Sequence, residues 1–261
     1  MSKNTERASL KIDGSVATIS LLRANQLNAF DLPMHNALTQ CLDEIEINEN
    51  IRVIILTAEG RAFSTGQDLF ERAKAFEVGE APDIRGSLDV LYNPLIRRII
   101  KLPIPVISAV NGIALGAGAA IAIACDITLA AVSARFQFSF VNVGLGPDSG
   151  ASWVLPRLIG TQRAMDLSLS ARLVSGREAE AMGLVARCVE DEDLLPQALN
   201  LAQEISGKSA DAVSSIKRLI RETMTMSFDE ALDAERDNQT KLGQTIAYRE
   251  AVLRFSERSR L

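Results

Sequence analysis

The chain has 261 residues, 47% of them hydrophobic, with a formal net charge of -5, enough for one large domain or two small ones around a sizeable core. The acidic balance argues against nucleic acid or an anionic membrane surface as the main partner. Three cysteines, Cys41, Cys125 and Cys188, fit no metal or disulfide spacing, and a single histidine, His35, excludes a multi-histidine metal site.

The stretch Met1 to Lys11 is polar and carries no apolar signal core, so a cytoplasmic, reduced setting is expected. Residues 16–21 alternate loosely and predict a strand. Met34, Leu38, Cys41, Leu42 and Ile45 recur at helical spacing and predict an amphipathic helix over 32–47, with Asp31 as its N-cap. His35 falls in that helix, with a surface or boundary role expected. Residues 53–57 predict a buried strand, followed by Phe63-Ser-Thr-Gly-Gln-Asp68. Residues 71–87 are polar, with Gly79, Pro82 and Gly86, and read as a mobile, lid-like segment. A helix over 91–102 and a strand over 104–110 follow.

Between Lys101 and Asp126 no residue is charged, a length sufficient to cross a bilayer. Pro103, Pro105, Asn111 and three glycines divide it into a strand, an Asn-Gly turn and a short alanine-rich helix. It reads as the centre of an α/β domain, whose doubly covered elements are continuously apolar. A strand over 127–131 comes next, and Asp126 before it reads as structural. Phe136, Phe138 and Phe140 alternate, as in a strand with an aromatic face. From Leu158 onward the pattern is helical. Ser175-Gly-Arg-Glu178 and Ser227-Phe-Asp-Glu230 have capping-box form, and Gly183 closes the helix begun near Arg177. Val213, Ile216, Leu219 and Ile220 make one apolar face. The charged tail 229–261 keeps apolar positions such as Leu232, Tyr248 and Val252, as a helix packed on another element or subunit does.

Two segments carry the chemistry. Phe63 to Asp68 and Asn111-Gly-Ile-Ala-Leu-Gly-Ala-Gly-Ala-Ala120 each follow a strand and place small residues where a helix begins. Backbone N–H groups at such places are unpaired and point outward. Two together could hold negative charge developing on one oxygen.

These residues resemble the crotonase, or enoyl-CoA hydratase/isomerase, superfamily over nearly the whole chain. Leu22-Arg-Ala-Asn-Gln-Leu-Asn-Ala-Phe30 is similar to the family's early acyl-CoA-binding loop, with Ala24 where proline is usual. Gly60 to Asp68 and Ala109 to Gly118 resemble its two oxyanion-hole segments, and Ser175 to Val185 its helix and turn after the core. Tyr92-Asn-Pro-Leu95 and Gly146-Pro-Asp148 are similar to runs in the branch that isomerises a ring epoxide in phenylacetate degradation.

The resemblance implies an α/β fold: a crotonase-type ββα spiral core with a C-terminal helical trimerisation region. It implies a division into residues 1–200, the acyl-CoA-binding core, and 201–261, the helical region, with assembly as a homotrimer or a dimer of trimers. The substrate would be an acyl-CoA; no cofactor is expected, since coenzyme A is part of the substrate. Backbone N–H groups of Gln67 and Ala117 would hold the thioester oxygen. Arg23, Ala24, Gln26, Thr65, Gly66, Asp68, Leu69, Gly116, Phe140 and Leu145 would contact the substrate. Hydratases of the family use two glutamates, whose places hold Ala120 and Phe140 here; neither moves a proton. The remaining candidate is Asp148, where the ring-epoxide branch has its catalytic aspartate, within a sequence that is also a good turn. A single carboxylate suits a 1,3-proton shuttle, and an apolar pocket built by Phe136, Phe138, Phe140, Leu145 and Trp153 would raise its pKa. Isomerisation of a double bond or ring epoxide is therefore expected, ahead of hydration. An aromatic acyl-CoA dehalogenase is disfavoured by Phe140 and Arg97, which replace its tryptophan and histidine. An RNA-binding relative is disfavoured by the acidic charge.

Overall fold

The computed structural model describes residues 2–4 and 7–258; Met1, Thr5, Glu6 and 259–261, parts of the polar N-terminus and charged tail, lie outside the described residues. The chain opens with β1 (Ser2–Asn4), β2 (Ala8–Asp13), β3 (Val16–Leu21) and α1 (Leu32–Glu46). Then come β4 (Val53–Ala58), β5 (Ala62–Ser64), α2 (Leu69–Glu77), α3 (Ile84–Ser87) and α4 (Asn93–Lys101). Next are β6 (Val106–Val110), β7 (Ile113–Leu115), α5 (Ala117–Ala124), β8 (Ile127–Ala131) and β9 (Arg135–Gln137). The remainder is α6 (Ala151–Ile159), α7 (Thr161–Ser170), β10 (Val174–Ser175), α8 (Gly176–Ala181), β11 (Arg187–Val189) and helices α9 (Leu194–Ser206), α10 (Ala210–Thr223), α11 (Phe228–Leu242) and α12 (Ile246–Arg258).

A seven-stranded sheet runs β1-β2-β3-β4-β6-β8-β11, and a four-stranded one β10-β9-β7-β5. In the large sheet Ile19, Leu56, Ser108 and Thr128 lie side by side across β3, β4, β6 and β8, all parallel. Each of β4, β6 and β8 is followed at once by a three-residue strand of the small sheet and then by helical structure, the expected ββα repeat. Continuous burial of β4 and β6 explains their unbroken apolar sequence. Helix α9 lies across β3, β4, β6 and β8, and position 200 falls inside it.

Helix α5 is the alanine-rich piece of the uncharged stretch, and all eight of its residues are buried. Its Ala122 carbonyl accepts from Ser108 Oγ (2.8 Å) and Thr128 Oγ1 (3.0 Å), which fixes it to the large sheet. Among the described residues, no helix is long and apolar enough to cross a membrane.

Several local expectations are met. Asp31 caps α1 by accepting from Met34 N, Ser227 and Glu230 form a capping box, and Gly183 ends α8 at φ +83°. Asp126 is structural: its Oδ2 accepts from Val106 N (2.8 Å) and pairs with Lys217 Nζ (2.8 Å), and its Oδ1 pairs with Arg221 (2.8 Å). Lys217 also donates to the carbonyls of Ile99 and Ile104, and Arg221 to Ala124, the last residue of α5. An ionic cluster around the buried Lys217 thus fastens α10 to the C-terminal end of α5.

Four expectations are corrected. His35 is 4% exposed, packed 5.1 Å from the Phe30 ring and 4.5 Å from Tyr92; burial lowers its pKa to about 4, partly offset by Asp31. Residues 71–87 are not one irregular lid: α2 fills the first part, and α3 begins a helical run that continues through a π turn at Leu88–Tyr92 into α4. Phe136 and Phe138 do not line a pocket; both are core residues, and Phe140 sits on a 3-10 turn after β9 has ended. Trp153 is part-exposed on α6, beneath the Arg157 guanidinium, 4.0 Å from the ring centre.

Candidate active site

The two glycine segments meet at the ends of β5 and β7. Asn28, fully buried at φ +53°, donates from Nδ2 to the carbonyls of Glu59 (2.9 Å) and Ala62 (2.7 Å). Ser64 Oγ donates to the Asn28 carbonyl (2.8 Å) and accepts from Gly66 N (3.0 Å). Phe30 N donates to the Gly66 carbonyl (2.7 Å), and Asp68 N to the Phe30 carbonyl (3.0 Å). Flanking bonds thus fix both sides of Gln67 and leave its own N–H without a partner among the described residues.

The second segment behaves alike. Gly116, at φ +49°, donates to the Gln137 carbonyl (2.8 Å) and accepts from Ala120 N (3.0 Å). Ala117 is the first residue of α5, so its N–H has no intrahelical acceptor and sits at the positive end of the helix dipole. A Cβ at Gly66 would lie 2.9 Å from Ala117 N, and one at Gly118 would collide with the Ser64 carbonyl. Only glycines let the backbones approach this closely.

A cavity of about 100 Å³ opens on these groups, lined by Thr65, Gln67, Leu69, Gly116, Ala117, Phe140, Leu145 and Asp148. Larger hollows of about 810 and 570 Å³ lie against α10 and include neither glycine segment. Asp148 is half-buried; its Oδ1 accepts from Ser149 Oγ (2.8 Å). Burial raises its pKa, while the Ser149 hydrogen bond and the Arg72 charge pull it back in part. Ser149 (φ +51°) and Gly150 (φ +82°) turn the backbone left-handed into α6. That helix has no side-chain cap, so the Asp148 carboxylate is not used as one.

Other predicted contacts lie elsewhere. Arg23 is turned into the protein: it pairs with Asp31 (3.3 Å) and Asp68 (2.7 Å) and donates to the Ala29 carbonyl (3.0 Å). It thereby joins the N-caps of α1 and α2. Asp68 caps α2; burial raises its pKa, but the hydrogen bonds from Arg23 and two backbone amides outweigh that and hold it below the usual carboxylate range. Ala24 and Gln26 form a 3-10 turn outside the cavity.

Sequence reasoning missed Arg72, Ile84, Leu88, Tyr92, Ser139 and Val143, which also line the cavity. It also assigned no work to the Gln67 side chain. Gln67 Oε1 accepts from the Tyr92 hydroxyl (3.1 Å) and from Arg72 Nη2 (3.2 Å). Burial, with the Asp148 charge, raises the Tyr92 pKa and keeps the phenol protonated. Tyrosine in the run Tyr92-Asn-Pro-Leu95 was the available signal. Among the described residues there is no cluster of three or more histidine, cysteine or carboxylate side chains for a metal ion.

With two unpaired N–H groups on one side and a carboxylate of raised pKa on the other, the cavity can stabilise an oxyanion and move a proton. Residues 11–261 match the family model described as enoyl-CoA hydratase/isomerase. The chain is 42% identical to the 1,2-epoxyphenylacetyl-CoA isomerase of Escherichia coli (strain K12), covering 94% of this chain and 93% of that one. It is 32% identical to the short-chain-enoyl-CoA hydratase of Clostridium acetobutylicum, covering 97% and 95%. The crystal structure of an enoyl-CoA hydratase from Bacillus anthracis superposes with a TM-score of 0.90 at 32% identity, covering 97% and 96%.

Proposed function

The chain belongs to the enoyl-CoA hydratase/isomerase family, and from that premise we propose that it is an acyl-CoA isomerase, shifting a double bond or isomerising a ring epoxide. One observation carries the choice of isomerase. Asp148 is the single carboxylate lining the cavity among the described residues, and by the family resemblance Ala120 and Phe140 would stand where hydratases carry their glutamates. The thioester carbonyl would sit between the N–H groups of Gln67 and Ala117. Asp148 would take the α-proton, the C–H electrons passing into the enolate, and return that proton to a carbon further along the acyl group. Each oxyanion donor is worth roughly 2.7–4 kcal/mol to such a transition state.

Coenzyme A is then part of the substrate, and no cofactor takes part. A cytoplasmic setting goes with this reading, since no disulfide joins Cys125 or Cys188 among the described residues. Residues 1–200 would bind acyl-CoA and 201–261 would assemble the enzyme, as a trimer or a dimer of trimers. The exposed side chains of Ile216, Ile220, Phe228 and Leu232 on α10 and α11 support that assembly.

Incubation with 3-hexenoyl-CoA in deuterated water tests the reading. Formation of 2-hexenoyl-CoA supports the isomerase. Formation of 3-hydroxyhexanoyl-CoA alone replaces it with the hydratase reading, which the similarity to hydratases keeps as the second choice.

A further inference from the structure

Tyr92, Arg72 and the Gln67 side chain make a polar corner beside Asp148 that the proton transfer does not use. Tyr92 is 2% exposed and ends the π turn Leu88–Tyr92, a local irregularity common at functional sites. Its ring is held edge-on by His35 at 4.5 Å and tilted against Phe30 at 6.1 Å, so the hydroxyl has a fixed position. Arg72 forms no ion pair with a carboxylate among the described residues; its Nη2 donates to Gln67 Oε1 at 3.2 Å. A phenol and a guanidinium therefore face a small, otherwise largely apolar cavity while sharing one amide oxygen.

That arrangement is costly for a purely hydrocarbon ligand, because polar groups shut away from water need partners. It is also arranged to release one donor without orphaning an acceptor. If the Tyr92 hydroxyl rotates toward the cavity, Arg72 still satisfies Gln67 Oε1. The remaining guanidinium N–H groups are available to the same incoming atom.

We propose that Tyr92 and Arg72 form a second oxygen-recognition site, which receives an ether, epoxide or hydroxyl oxygen carried on the acyl group. The inference rests on the acyl-CoA reading of the cavity and makes Tyr92 and Arg72 the residues that select an oxygen-bearing acyl group over its hydrocarbon analogue. A site built to hydrogen-bond a substrate oxygen discriminates strongly against the analogue that lacks it.

Two unreactive probes test this on the full chain in its assembled form: phenylacetyl-CoA and 2-hydroxyphenylacetyl-CoA, with Kd measured by titration calorimetry. The wild type is expected to favour the hydroxylated probe about tenfold, the value of one good hydrogen bond. Tyr92→Phe, which keeps the ring against His35 and Phe30, brings the ratio of the two Kd values close to one. Arg72→Met lowers it part of the way. A wild-type ratio near one overturns the inference. So does a Tyr92→Phe ratio equal to that of the wild type, including the case where both probes weaken together through a structural effect. Failure of both probes to bind the wild type would overturn the acyl-CoA reading itself, an outcome distinct from the other two.

Discussion

The backbone nitrogen of Ala117 lies where a side chain on residue 66 would have to go: a Cβ built on Gly66 comes within 2.9 Å of it, and equally close to the Leu115 carbonyl. Two segments well separated in the chain therefore share one small space, and the space is kept open by the absence of a methyl group.

Gly66→Ala fills that space, and it also strains a backbone held at φ +78°. If the space is the oxyanion hole, kcat with 3-hexenoyl-CoA falls by about 10²–10³, the cost of one lost donor. The coenzyme A thioester will still bind, as a fluorescent acyl-CoA displacement assay can record. A drop in binding with no drop in kcat would remove the hole from this place.

If Asp148 is the base, the acid limb of the pH–rate profile reports its ionisation. Burial raises its pKa, and the Ser149 hydroxyl and the Arg72 charge oppose that rise. As a base it must be ionised, so kcat/KM falls as pH drops through a value above the ordinary 3.8. Ser149→Ala removes a hydrogen bond to the carboxylate and moves that limb to higher pH. A limb that stays in place would assign it to another group.

The same carboxylate makes the fold pH-sensitive. A folded pKa above the unfolded one means that Asp148 favours the folded state fully only below the unfolded value of 3.8. That contribution is lost as pH rises through the folded value. Asp148→Asn escapes the loss and can still accept from Ser149. Its Tm will exceed that of the wild type at neutral pH, and the gap will close in acid. A variant less stable than the wild type at neutral pH contradicts the direction of the shift.

Much of this architecture was legible because burial writes itself into continuous apolar runs. Strands β3 and β8 were read at their observed limits. Strands β5, β7 and β9 were not, since three residues are too few for a period to show, and β9 hid within an alternation of phenylalanines that continues past its end. His35 was misplaced because its burial comes from Phe30 and Tyr92, which lie outside the helix it belongs to. Asp148 came from family resemblance, local sequence alone favouring a turn. Tyr92 and Arg72 escaped because a π turn and the first turn of α2 bring them to the cavity, and no local pattern encodes that approach.

Lys217 gives a stability test away from the cavity. Its side chain is 5% exposed and bonds Asp126 and two carbonyls. Burial lowers its pKa, opposed by the Asp126 charge. Lys217→Met removes one partner of a buried ion pair, which typically costs about 3–5 kcal/mol. Urea unfolding will show a lower midpoint, and Asp126→Asn, which strands both Lys217 and Arg221, a lower one still.

If one carboxylate, Asp148, carries the proton between carbons of a thioester held by Gln67 and Ala117, removing its charge stops turnover and leaves binding. Isomerisation of 3-hexenoyl-CoA by Asp148→Asn, measured beside its affinity for a non-reactive acyl-CoA, tests it most directly. Turnover will be abolished while acyl-CoA affinity and assembly are retained. Turnover at the wild-type rate in Asp148→Asn would contradict it.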